Sequence, residues 1–402
     1  MKPKTFARFV LVTAAVTVAA LVTVAERYWS TPTVVSVQPF PKLLDRVNDV
    51  TEIDIGSADD SAVLHRTAGG WTMATKHDYP VQSEMVKQTL IGIADLRLTE
   101  RKTTRPERYS RLAVEDLEQD AAAKDAAAKD QTDDEADDLP GAPKPYKARL
   151  MTLKTASGEK LAELIVGRPK VNRMGGPSGL YVRLPGDPQA WLAGAVNFEI
   201  PERTISWLEP RIIHVNGKRL SRITTIQPGG ETLVLYKDKP DDPHFKFKDL
   251  PPDTKLKGES AADDLTQILM VVDLVDVAPQ GDVPFPKGHA WKTVAETFDG
   301  LTVTVESVNR DDKPWSKFHA EAKDVGELPD YKGAAAAFLK PAAEVKQEAA
   351  EINARTGAWA YQIKDLQANR LRSRLAQFLE REEMPGAGGP PGMGMPNLGG
   401  GQ

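Results

Sequence analysis

Residues 83–98 read SEMVKQTLIGIADLRL, and residues 262–277 read ADDLTQILMVVDLVDV. In the first stretch Val86, Leu90, Ile93 and Leu96 fall near one face of a helix. In the second, Leu265, Leu269, Val272 and Val275 do the same. Each pair differs by 179 positions (265 − 86, 269 − 90, 272 − 93, 275 − 96). The spacing predicts two amphipathic helices that are copies of one another.

Working outward, each stretch has similar neighbours. Upstream of the first lie strand-like runs at Val50 to Ile55 and Val63 to Arg66, then Trp71. Upstream of the second lie Ile223 to Ile226 and Thr232 to Tyr236, then Phe245 and Phe247. Downstream, Gly158 precedes Leu161, Leu164 and Val166, and Gly300 precedes Leu301, Val303 and Val305, at an offset of 142 (300 − 158). The first copy therefore carries 37 extra residues (179 − 142) between its helix and this hairpin. The acidic, low-complexity stretch from Glu118 to Pro145 lies in that interval and reads as a surface insertion of about 118–147. It contains the repeat Ala121-Ala-Ala-Lys-Asp, Ala126-Ala-Ala-Lys-Asp, a short semi-rigid helical spacer.

The rest reads mostly as short strands. Tyr181 to Leu184 and Gln189 to Ala193 form a hairpin through Pro185-Gly186-Asp187, and Leu301 to Val308 and Trp359 to Ile363 are further strands. Two late helices are predicted, about 341–353 and 364–381. The expected fold is α+β: one N-terminal transmembrane helix, then a duplicated, mainly antiparallel strand-plus-helix body. The expected domains are 1–29, the basic start and anchor; 30–212, the first repeat; 213–384, the second repeat with its late helices; and 385–402, a disordered Gly/Pro/Met tail.

The anchor is read from Lys2, Lys4 and Arg8 ahead of an uncharged run of seventeen residues, 9–25, followed by Tyr28 and Trp29. As a helix that run spans about 25 Å, close to a bilayer core of about 30 Å. Basic residues before it place the N-terminus in the cytoplasm and the body outside. Thr23-Val24-Ala25 also suits signal cleavage, which would leave the body on the same side. The expectation taken is a retained anchor in the inner (cell) membrane, with an extracytoplasmic body.

These residues also carry a family resemblance. The strand at Val50, Gly70-Trp71 before the first helix, Leu164-Ile-Val-Gly167, Gly179-Leu-Tyr181-Val-Arg183, Phe298-Asp-Gly-Leu-Thr-Val-Thr-Val305 and Trp359-Ala-Tyr361 occur in one order. In that order the chain resembles the family of domain of unknown function 4340. The resemblance implies an accessory membrane protein associated with gliding-motility-type ABC transporter subunits. It brings no catalytic residues with it.

Chemistry is sparse. Cysteine is absent, so disulfides, thiolate metal sites and a cysteine nucleophile are excluded. The net charge of −5 gives no basis for nucleic-acid binding. There is no G-x-x-x-x-G-K-[ST] phosphate loop and no H-E-x-x-H, and no two of the six histidines stand four apart. Gly175-Gly-Pro-Ser178-Gly179 lacks the spacing of a nucleophile elbow, because Leu180 stands where glycine is needed. The carboxylates at 133–138 lack the alternation and glycine of a calcium loop. No enzyme activity and no cofactor is expected. Arg370, Arg372 and Arg374 read as a solvated helix face. The expected function is a non-catalytic, membrane-anchored subunit working through protein contacts with an ABC transporter. The alternative is a glycan- or peptide-binding module. For either, Trp71, Trp315, Tyr181 and Arg183 are the candidate ligand or partner surface.

Overall fold

A computed structural model of the chain describes residues 36–117, 146–171, 177–194 and 200–380. The chain divides into two compact units, Met1–Glu209 and Pro210–Gln402. Each is built on one nine-stranded sheet, and every pairing in both is antiparallel.

In the first unit the strands are β1 (Val50–Gly56), β2 (Ser61–Thr67), β3 (Gly70–Met73), β4 (Tyr79–Pro80), β5 (Arg97–Thr103), β6 (Arg149–Thr155), β7 (Lys160–Val171), β8 (Pro177–Arg183) and β9 (Ala190–Gly194). Their order in the sheet is β4-β3-β2-β1-β6-β7-β8-β9-β5. The second unit has β10 (Arg211–Ile213), β11 (Leu220–Ile226), β12 (Thr232–Tyr236), β13 (Lys246–Phe247), β14 (Val272–Pro279), β15 (Trp291–Thr297), β16 (Leu301–Arg310), β17 (Lys313–Ala322) and β18 (Trp359–Ile363). Their order is β10-β14-β18-β17-β16-β15-β11-β12-β13.

Read from opposite ends, the two orders share one run of eight strands: β3-β2-β1-β6-β7-β8-β9-β5 in the first and β13-β12-β11-β15-β16-β17-β18-β14 in the second. The irregularities correspond as well. β1 bulges between Val50 and Glu52 against β6, and β11 bulges between Leu220 and Arg222 against β15, 170 residues later. The extra residue puts Val50 and Ile53 on one buried face although they stand three apart, and it does the same for Leu220 and Ile223. Beside the first residue of β5, Val37 and Leu98 exchange backbone hydrogen bonds of 3.1 and 2.8 Å, in the position that β10 occupies against β14.

Helices are few. They are α1 (Leu43–Arg46), α2 (Ser83–Ala94), α3 (Ala342–Thr356) and α4 (Asp365–Leu371). The α+β expectation is therefore corrected to a mainly antiparallel β architecture. The expected helix over 262–277 is a 3-10 turn at Asp263–Gln267 followed by strand β14. The β-branched run Val271, Val272, Val275 and Val277 takes the pleated sheet over the helix its spacing also permits. Helix α2 likewise stops at Ala94, and Leu98 belongs to β5. The expected helix over 364–381 ends at Leu371, with one 3-10 turn at Leu375–Gln377 beyond it. No helix of the described residues is long and apolar enough to cross a membrane. The expected anchor at 9–25, the 118–145 insertion and the 385–402 tail lie outside the described residues.

One face of each sheet is core. In the first unit the opposite face is crossed by a strap, residues 105–117. Tyr109 and Val114 of the strap pack with Ala148, Ile165 and Ala190. The strap lies so close to β7 that a side chain at Gly167 would sit 2.2 Å from the Leu112 carbonyl oxygen. That same oxygen accepts a 3.0 Å bond from Arg168 N–H. In the second unit α3 lies on β17, burying Val345, Ala349, Ile352 and Thr356 along one stripe. Its Asn353 amide acts as a short extra strand: Oδ1 accepts from Ala320 N–H at 2.8 Å and Nδ2 donates to Ala320 C=O at 2.7 Å.

Candidate functional site

The four residues expected at a ligand surface are integrated into the fold. Trp71 on β3 and Trp315 on β17 are each 9% exposed, and Trp315 packs on Val283 and Ala360. Tyr181 and Arg183 share one face of β8, over the strap. The Arg183 guanidinium is buried under it. It donates to Val114 C=O at 2.9 Å and to the Asp116 carboxylate at 2.6 Å, and it lies 4.7 Å from the centre of the Tyr109 ring. Tyr181 is half-buried, with Arg168 over its ring. Trp71 is on a strand far across the sheet from β8, so the structure does not bring these residues of the first unit together. Trp191 and Trp207 are buried too, and Trp291 and Trp359 are half-buried.

Two other groupings carry polar chemistry. The first is an open groove at one end of the first sheet, lined by Thr51, Glu52, His65, Arg66, Thr67, Asp78, Thr155 and Ser157. Four hydroxyls and four ionisable side chains line it, and one hydroxyl, on Thr155, bonds to Ser157 at 2.8 Å. Its carboxylate Glu52 takes a 2.7 Å bond from Lys154 and faces His65 at 3.5 Å. The Lys154 ammonium holds the Glu52 carboxyl below its ordinary value. A carboxylate kept ionised in this way is the reverse of a general acid. The groove's open, polar lining is of the kind that suits a small polar molecule.

The second grouping is in the second unit, where the β12–β13 connection meets the turn at Asp263. His244 Nδ1 sits 2.6 Å from Asp263 Oδ2, so the carboxylate fixes the imidazole. Lys237, at the end of β12, is buried. Its ammonium donates to Asp242 C=O at 2.8 Å and lies over the Phe245 ring. Burial pushes it below its ordinary value, against the pull of Asp263, Asp242 and Asp241. Sequence reading passed over this cluster; its only signal was Asp241-Asp242-Pro243-His244 after an apolar strand. Among the described residues, no group of three or more His, Asp or Glu is placed to hold a metal ion.

A buried ion network also marks the second unit. Arg219 binds Asp299 at 2.8 and 3.1 Å and Glu348 of α3 at 2.9 Å, and Lys340 reaches Glu348 at 3.1 Å. Asp299 also accepts from Thr297 Oγ1 and from Lys340 N–H. With its carboxylates satisfied from within, the network is a fastener of the fold: it ties α3 and its approach to the β15–β16 turn.

No curated protein and no solved structure matches the chain. The family described as Domain of unknown function (DUF4340) matches residues 71–287, from β3 in the first unit to the approach to β15 in the second. That match covers more than half of the chain's 402 residues, and the protein belongs to the DUF4340 family.

Proposed function

We propose that this protein is a non-catalytic subunit held at a membrane by residues 9–25, with a non-cytoplasmic body that works through protein–protein contacts. Its proposed partners are subunits of an ABC-type transporter. The observation that carries the reading is that the side chains best suited to chemistry are engaged inside the fold. Arg183, Arg219 and Asp299 are bonded within it, and Trp71 and Trp315 are packed into it. The basic start, the apolar run and the aromatic pair at Tyr28 and Trp29 support the location. Holding the body at the membrane raises its effective concentration beside a membrane partner.

The test is crosslinking in intact membranes, then mild detergent extraction and identification of what comes with the chain. Recovery with transporter subunits supports the proposal. A chain recovered alone, from cells whose transporter assembles without it, overturns it. A reporter fused after Gln402 that is active only in the cytosol removes the location.

A second reading, a glycan- or peptide-binding module, is favoured by the hydroxyl-lined groove around Thr51, Thr155 and Ser157. Calorimetric titration with oligosaccharides and short peptides tests it. Heats that disappear in Thr155→Val support the groove, and none in either protein removes it.

A further inference from the structure

We propose that the edge of the first unit over residues 97–111 is a docking surface for the anionic headgroups of the membrane beside which the body is held. This rests on the membrane reading above and adds to it a surface, a ligand class and an orientation.

The sequence here is RLTERKTTRPERYSR, fifteen residues with six cationic and two acidic side chains, in a chain whose net charge is −5. Lys102 is ion-paired with Glu100. Arg97, Arg101, Arg105, Arg108 and Arg111 are exposed, and their side chains make no ion pair or hydrogen bond with a described residue. Arg101 only covers the Trp191 ring, 5.3 Å from its centre.

The backbone sets these charges side by side. After β5 the chain makes two tight turns with i to i+3 hydrogen bonds: Arg108 N to Arg105 O and Tyr109 N to Pro106 O, then Leu112 N to Tyr109 O and Ala113 N to Ser110 O. A path with about three residues per turn stacks every third residue on one side. Tyr109 and Leu112 face the sheet, and Tyr109 Oη donates to Pro188 C=O at 2.6 Å. Arg105, Arg108 and Arg111 therefore share the outward side, continuing the charges of the edge strand.

Two observations choose a lipid surface over a partner strand. First, β5 is bulged twice against β9, between Leu98 and Glu100 and between Arg101 and Thr103, and it is densely charged. Such an edge resists strand addition. Second, the chain arrives at this edge from its apolar run, since Val37 pairs with Leu98. Eleven residues lie between Ala25 and Val37, and the twelve steps span roughly 40 Å at most. The arginines begin beside that pairing. A tether of this length keeps them within reach of the bilayer surface, so that they can enter the zone of about 10 Å in which charge attraction acts.

The chain has no cysteine, so one label site can be introduced cleanly. The full-length protein carrying Thr104→Cys, labelled with a fluorophore, is placed in nanodiscs of phosphatidylcholine alone or mixed with phosphatidylglycerol. Quenching by a lipid-borne quencher is then read. Several-fold greater quenching with phosphatidylglycerol, lost in high salt and lost when all five arginines are changed to Gln, supports the proposal. Equal quenching in both discs overturns it, as does an effect that survives the five substitutions. If the effect appears only after residues 118–145 are deleted, the acidic run of the chain itself occupies the strip, and that too overturns it. A chain that stays with neither disc overturns this proposal and the membrane reading together. One that stays with both discs yet shows equal quenching overturns this proposal alone.

Discussion

Both carboxylate oxygens of Asp299 face the guanidinium of Arg219, at 2.8 and 3.1 Å, with the two side chains 0% and 2% exposed. The first unit has a counterpart. Arg46, just before β1, grips Glu159 in the β6–β7 turn at 2.7 and 2.8 Å. Each pair joins the approach to one of the corresponding strands β1 and β11 to the turn of the hairpin beside it. The counterpart pair is 38% and 52% exposed, so both clamps are two-pronged, but they differ in solvent and in approach: Arg219 binds through Nε and Nη2, Arg46 through Nη1 and Nη2.

That difference makes a matched experiment. Arg219→Met strands Asp299 as a buried carboxylate and leaves Glu348 to Lys340 alone, a loss of about 3–5 kcal/mol. In a unit of this size the unfolding midpoint falls by roughly 10 °C. Arg46→Met removes a pair that solvent already screens, and its midpoint stays close to that of the parent. Calorimetry on both variants checks the contrast. Equal shifts would mean that burial does not set the value of these clamps.

The close approach of the strap to β7 gives a second expectation. Gly167→Ala puts a methyl group 2.2 Å from the Leu112 carbonyl oxygen and 2.7 Å from Val114 Cγ1. The clash is with backbone, so the strap must lift, at about 1–3 kcal/mol. The Arg108 and Arg111 side chains are already exposed, and lifting frees the backbone beside them to enter the trypsin active site. Limited proteolysis should cut the variant after those residues several-fold faster than the parent, and an unchanged rate would show that the strap follows β7 without loosening.

How far the sequence carried the fold can be seen at particular residues. The hairpin offset of 142 between Gly158 and Gly300 recurs in the paired residues: Thr155, Lys154 and Leu153 pair with β1 as Thr297, Glu296 and Ala295 pair with β11. Turns and alternating strands are local, and they were legible. The helix offset of 179 was not the structural one. The bulge after Leu98 corresponds to the bulge after Leu274, an offset of 176. A shift of three residues, close to one helical turn, keeps apolar positions in phase, so periodicity could not choose between the two offsets. At 176, Val86, Ile93 and Leu96 correspond to Ala262, Leu269 and Val272, all buried. The surroundings of the candidate residues were not legible for a different reason. Aromatic and basic side chains in strands look alike whether they face solvent or a covering strap, and the strap lies beside β8 only in three dimensions. The Lys237, His244 and Asp263 cluster was hidden likewise, because Asp263 stands 19 positions from His244 in sequence.

The groove carboxylate sets a pH dependence. Lys154 bonds Glu52 and Asp54, and Glu52 lies below its ordinary value in the folded state. A carboxyl depressed on folding contributes stability above its unfolded value and loses it as pH falls through the folded value. Glu52→Gln should therefore be less stable than the parent at pH 7. The gap should close as pH drops below about 4.5, the ordinary value for glutamate. Urea melts at several pH values measure it. A gap that widens on acidification would reverse the sign of the Lys154 interaction.

Arg183 separates a structural role from a docking role. Its guanidinium makes three contacts that an ammonium cannot make together: the bond to Val114 C=O, the bond to Asp116 and the lie over the Tyr109 ring. Arg183→Lys keeps the charge, and a lysine can reach one of these groups at best. Leaving the Val114 carbonyl unmet under the strap costs roughly 1–3 kcal/mol. The strap should loosen in the same way as in Gly167→Ala, so combining the two substitutions should cost less than their sum, because a strap already lifted has little further to lose. If Arg183 instead met a partner, Arg183→Lys would leave the melting curve unchanged and reduce recovery of the partner in the crosslinking experiment. The burial of the guanidinium leads us to expect the first outcome: lowered stability, a sub-additive pair with Gly167→Ala, and unchanged partner recovery at temperatures where the variant is folded.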